Sequence, residues 1–160
     1  SGFVNRNELR TAMNTAELEI LDLPKQQAAE QHQGVVGWRL ENMWSLAWIL
    51  GLAPEPSAIT GQLSEDISGG LLELFLPDFN VTAEMLLMRG QLQPVEDVIR
   101  LEDRFYLAHN AVRSGQIGQP DKLPAGFHPV GDGGAIHERR HSLTWALSPE
   151  TEWEDTDLST

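Results

Sequence analysis

The chain has no cysteine and a single tyrosine, and its 11 Lys and Arg are outnumbered by 24 Asp and Glu. Without cysteine there can be no disulfide, thiolate metal site or cysteine nucleophile, and a reducing, cytoplasmic compartment is the expectation. The net charge of −13 leaves few cations to cluster against a phosphate backbone, so nucleic acid is not an expected partner. Apolar runs fall far short of the ~20 residues that span a bilayer, and no basic-then-apolar leader opens the chain. A soluble protein with no membrane partner is therefore expected. There is no Gly-x-Ser-x-Gly elbow and no Walker-type phosphate loop, and Gly131-Asp132-Gly133-Gly134 alone reads as a turn.

What is present is helical periodicity. A chain of 160 residues suits one domain burying roughly 70% of its extended surface. Leu9, Ala12, Met13, Ala16, Ile20 and Leu23 recur at helical spacing over residues 7–23, with Asn5 or Asn7 as cap and Pro24 as stop. Lys25 to Gly34 reads as a polar, Gln-rich connection. Residues 35–50 are apolar on nearly every side and end at Gly51, which predicts a buried helix. Ser64 opens a helix running to Pro77, and Thr82 caps a short one over 83–88 that Gly90 ends. Pro94 precedes the clearest pattern, residues 95–114, with the stripe Val98, Leu101, Phe105, Ala108 and Val112 and a supporting Glu96 and Arg100 pair. Gly- and Pro-rich residues 115–134 have no period and predict a long irregular loop before the last helix, residues 135–147. No strand pattern stands out. The expected fold is an all-α, single compact multi-helix domain over 1–160, with residues 1–6 flexible and 149–160 an acidic C-terminal tail.

The chemistry-bearing residues concentrate in His137-Glu138-Arg139-Arg140-His141-Ser142-Leu143-Thr144-Trp145. As a pattern this contains H-E-x-x-H, in which His137 and His141, one helical turn apart, would bind zinc while Glu138 polarises the bound water. A third protein ligand is required, and downstream only the tail acids Glu150, Glu152, Glu154, Asp155 and Asp157 could supply one. A second reading is structural. Arg39, Glu41, Asp103, Glu138 and Arg139, with Tyr106, would form paired, partly buried charges among Trp-rich helices, since buried charges persist only when paired. Arg39 and Glu41 lie about 160° apart around their helix and so need separate partners. In a third reading Tyr106, His109, Glu138 and Arg139 line a pocket, with acid and base groups beside an anion clamp.

Four ordered segments resemble a bacterial family known as domain of unknown function 4272. They are Trp38-Arg39-Leu40-Glu41 with Trp44, Leu46, Trp48 and Leu50-Gly51; Asp103-Arg104-Phe105-Tyr106 with His109; Glu138 through Trp145; and Trp153-Glu154-Asp155-Thr156-Asp157. The resemblance spans about residues 15–160 and implies an α-helical fold; it transfers no activity. This chain departs from the family pattern at Arg140, His141, Ser142 and Thr144, where His, Tyr, Ala and Asn are usual, and at Leu107 and Asn110, where Arg and Trp are usual. In the family pattern Glu138-Arg139 is the recurrent pair, while the position of His137 has no fixed residue type.

These readings converge on a non-catalytic protein-interaction domain without a cofactor, whose acidic surface suits a basic protein partner steered in by charge. A zinc-dependent hydrolase built on His137 and His141 is the alternative.

Overall fold

The computed structural model describes residues 2–75 and 82–160, and among these the chain is helical with no strand. The α-helices are α1 (Gly2–Arg6), α2 (Thr15–Asp22), α3 (Lys25–Ile49), α4 (Glu65–Phe75), α5 (Ala83–Arg89), α6 (Val95–Gln116) and α7 (Gly133–Ala146). α7 is the central element: its largest interfaces are with α3 on one side and α6 on the other. α4 and α2 pack more lightly on α3.

Two patterns differ from expectation at the N-terminal end. The single helix expected over 7–23 is interrupted, and Gly2–Arg6 is itself helical. The cap of α2 is Asn14: its side chain accepts from Glu17 N at 2.8 Å while Glu17 returns a carboxylate to Asn14 N at 3.1 Å. This reciprocal capping box satisfies two donors and sets the start that apolar spacing alone had placed earlier. Residues 25–34, expected as a connection, are the first turns of α3. Gln, Ala, Glu and Lys are strong helix formers, so a polar run of them extends a helix that packing stabilises further on.

α3 ends at Gly51, whose φ of 71° carries the left-handed turn. Leu52 N donates to Ala47 O and Gly51 N to Trp48 O, both at 2.8 Å, the two bonds of a Schellman cap. A Cβ at Gly51 would also run into the Gln91 carbonyl, so glycine is required by both conformation and space. Thr82 caps α5 through Met85 N at 3.1 Å. The expected stop at Pro77 lies outside the described residues. α6 begins after Pro94 as expected, but Arg100 pairs with Asp97 at 2.6 Å instead of Glu96. The loop between α6 and α7 contains one short 3-10 turn, Pro120–Lys122.

The main core joins α3, α6 and α7 through Trp48, Val98, Leu101, Phe105, Val112, Ile136 and Leu143. A second cluster, Trp44, Ala47 and Leu71, holds α4 against α3. The predicted stripe of α6 faces this core, and burying each large aliphatic side chain contributes about 1.5–3 kcal/mol. α7 departs from a simple amphipathic helix. Sandwiched between two helices, it buries Arg139, Arg140 and Ser142 as well as Ala135, Ile136 and Leu143, so its polar residues need partners inside the fold.

Candidate functional site

The central polar cluster starts from Arg139, which is 0% exposed. Its Nε donates to Glu41 Oε2 at 2.7 Å across the α3–α7 interface. Its Nη1 donates to the carbonyls of Ser57 at 2.8 Å and Thr60 at 3.1 Å, and its Nη2 to that of Gly61 at 2.6 Å. The guanidinium also lies over the Trp44 ring, 4.7 Å from its centroid. Glu41 Oε1 accepts from Leu63 N at 2.9 Å. One ion pair thereby ties α3, α7 and the 57–63 segment together. Burial lowers the Arg139 pKa, and the Glu41 carboxylate beside it opposes that shift.

Next to it, Asn42 Nδ2 donates to the carbonyl and carboxylate of Glu138 at 2.8 and 3.0 Å, and Ser142 Oγ donates to Asn42 O at 3.1 Å. The other carboxamide atom, Asn42 Oδ1, and the hydroxyl of Ser45 are buried with no protein partner.

A second cluster surrounds Arg140, whose side chain points to α6. Arg140 Nε donates to Glu102 Oε1 at 3.1 Å, and its Nη1 reaches His109 Nδ1 at 2.9 Å and Leu158 O at 3.1 Å. Thr144 Oγ1 donates to the same Glu102 oxygen at 3.0 Å. The guanidinium carbon lies over the Tyr106 ring, 4.8 Å from its centroid. Since an arginine only donates, His109 Nδ1 must accept, which leaves the proton on Nε2. Burial, then His137, Arg140 and Arg113, push His109 down to about pH 4 in pKa, and it is neutral at pH 7.

The three histidines form a row that ends on the tail. The His109 and His137 rings meet edge to face at 5.2 Å, His137 and His141 are 6.4 Å apart, and His141 stacks on Trp153 at 4.1 Å. Burial is the main cause lowering the His137 pKa. His141 Nε2 is 2.8 Å from the Trp153 carbonyl, an acceptor, so this nitrogen carries the proton and donates. Trp145 Nε1 donates to Thr151 O at 3.0 Å, and Asn14 Nδ2 to Glu154 at 2.6 Å. The tail is thus laid along α7 and joined to the cap of α2.

Several residues singled out from sequence lie elsewhere than expected. Glu41 and Arg139 come together, and Glu138 joins Asn42. Arg39 is exposed and makes no ion pair among the described residues, consistent with the opposite-face geometry of positions 39 and 41. Asp103 is exposed too, and Glu102 holds the place expected for it. The reason is helical phase: 102, 106 and 109 follow i, i+4, i+7 along one narrow stripe, whereas 103, 106 and 109 spread around the helix. Tyr106, His109, Glu138 and Arg139 do not converge on one cavity. His109 serves Arg140, Glu138 serves Asn42, and Arg139 serves Glu41 and the 57–61 carbonyls. None of the four lines the cleft of about 630 Å³ that opens between α6 and the 55–59 segment. His137 and His141 share a helix face as expected, yet one nitrogen of His141 is committed to the tail, and no group of three or more His, Cys, Asp or Glu among the described residues is arranged to hold a metal ion. Glu102 and Asn42 are the contributors that sequence reasoning missed, while Arg140 and Trp153 stood in the singled-out segments without an assigned role. The 102/106/109 stripe is the signal that could have found two of these clusters' members.

Fold and site together define a class: a helical domain whose central helix is fixed by two consecutive buried arginines, each serving a different neighbouring helix. The chain belongs to the family described as Domain of unknown function (DUF4272), whose model matches residues 1–156. Neither a curated protein nor a solved structure matches it.

Proposed function

We propose that the chain is a non-catalytic protein-interaction domain, working in the bacterial cytoplasm, that receives a basic partner. One observation carries this reading. Between residues 85 and 99, six large apolar side chains stand out of the fold, with Leu87 at 64%, Met88 at 80% and Leu92 at 69% exposure, joined by Met85, Val95 and Ile99. Exposed apolar surface rimmed by charge marks contact sites, and methionine adapts readily to a partner's shape. The carboxylates of Glu96 and Asp97 sit in the same stretch and that of Glu84 directly before it, within a chain of net charge −13. Meanwhile Glu138, Arg139, Arg140 and His141 of α7 are engaged in internal hydrogen bonds, which favours scaffold duty over turnover for them.

The test is association kinetics with a partner captured on immobilised protein. The association rate should fall steeply as ionic strength rises, and Met88→Asp with Leu92→Asp should abolish capture while the helical circular dichroism is kept. A salt-independent rate would reject the charge steering. Stoichiometric zinc in protein purified without a histidine tag, lost in His141→Ala, would replace the whole reading with a metal-dependent hydrolase.

A further inference from the structure

The lining of the 630 Å³ cleft includes none of the exposed apolar residues between 85 and 99, and it meets the arginine clusters only through Ser57. Its floor is the buried core, Val112 and Ile136. Leu107 and Ala111 on α6 form one wall, and Leu123 and Phe127 from the loop before α7 form the other. The third side is the 55–59 segment, and that segment is not loose: the Ser57 carbonyl is a ligand of the Arg139 guanidinium at 2.8 Å. The volume falls in the range of small-molecule sites, about 300–1,000 Å³, which are mostly apolar with a few convergent polar groups.

The polar groups here are at the lip. Arg104 is matched by Glu55, with which it forms an ion pair across the opening. Lys122, at the end of the 3-10 turn, also lines the cleft and forms no ion pair among the described residues. After the Arg104–Glu55 pair is cancelled, one positive charge remains at the mouth of an apolar slot. The geometry points to a binding site for a free monocarboxylate with an apolar tail, the tail along Leu107, Ala111, Leu123 and Phe127 and the carboxylate at Lys122. A free amphiphile is favoured over an acyl chain presented by an anionic bilayer, because a chain carrying −13 is repelled by that surface.

This site does not depend on the protein-interaction reading, and either can fail alone. Calorimetric titration of the full chain with dodecanoate below its micelle concentration should give saturable binding and a raised thermal midpoint. Dodecyltrimethylammonium should bind at least about tenfold more weakly, because its head meets Lys122 with like charge. Lys122→Glu, at an exposed position that leaves the fold intact, should weaken dodecanoate by about tenfold and change dodecanol by less than about twofold. Leu107→Asn, on the exposed rim of the wall, should weaken dodecanoate and dodecanol alike. Absence of saturable dodecanoate binding, equal affinity for the cationic amphiphile, or an unchanged affinity in Lys122→Glu would each overturn the assignment.

Discussion

Arg139→Ala separates the buried clamp from an ordinary surface charge. The substitution strands the Glu41 carboxylate, 2% exposed, with Leu63 N as its remaining donor, and removes the donors from the carbonyls of Ser57, Thr60 and Gly61. Breaking a buried pair by deleting one partner costs about 3–5 kcal/mol. Against a domain stability of about 5–15 kcal/mol this is a large share. At about 2–4 °C per kcal/mol for a chain of this size, the thermal midpoint should drop by roughly 6–20 °C. Urea unfolding followed by tryptophan fluorescence is the suitable assay, because Trp44 lies directly against the guanidinium. Arg139→Lys keeps the charge but cannot reach a carboxylate and three carbonyls with one ammonium, and should fall between wild type and alanine. In the double variant Glu41→Gln/Arg139→Ala only the carboxylate's part of the loss should be recovered, since the three carbonyls remain without donors. Arg39→Ala, on the opposite face of α3, should move stability by less than about 0.5 kcal/mol. A loss below about 1 kcal/mol in Arg139→Ala, or complete rescue by Glu41→Gln, would refute the reasoning.

Three further outcomes follow from the geometry. His109 is neutral in the fold with a pKa near 4 against 6.5 when unfolded, so the unfolded chain binds more protons between these values. Stability contributed this way is complete above about pH 6.5 and is lost as pH falls towards 4, by about 2–3 kcal/mol; His109→Gln should flatten that slope in urea titrations, leaving the smaller part due to His137, whose pKa shifts the same way. His141→Ala removes both the stack on Trp153 and the bond to its carbonyl, and should make the 149–160 tail cleavable by protease at native conditions while the core midpoint falls by only about 1 kcal/mol. A protected tail in this variant would show that Arg140–Leu158 and Asn14–Glu154 hold it without the histidine. Gly51→Ala forces a Cβ into left-handed backbone and onto Gln91, and should cost more than about 2 kcal/mol by urea denaturation, whereas Gly118→Ala, with the same backbone sign and open space around it, should cost about 1 kcal/mol.

Much of the fold was legible because it rests on local chemistry. The stripe from Val98 to Val112, the Gly51 stop, the Thr82 cap and the Pro94 start are consequences of residue type and 3.6-residue spacing, and each appears where its residues dictate. The N-terminal break at Asn14 was equally local and written as N-x-x-E, but apolar spacing ran across it. The 25–34 segment misled in the other direction, because polarity argues for exposure and exposure is not the same as loop.

Sequence alone determined that the chain is helical, cysteine-free and acidic, and that Glu41 and Arg39 could not share a partner, since all of this follows from composition and helix phase. Only tertiary structure decided that Glu41 meets Arg139 across 98 residues, that Glu102 and not Asp103 meets Arg140, and that His141 is occupied by the tail. Those outcomes depend on how three helices rotate about their axes as they pack. A buried charge takes whichever partner that packing brings within hydrogen-bond reach, and no local pattern encodes it.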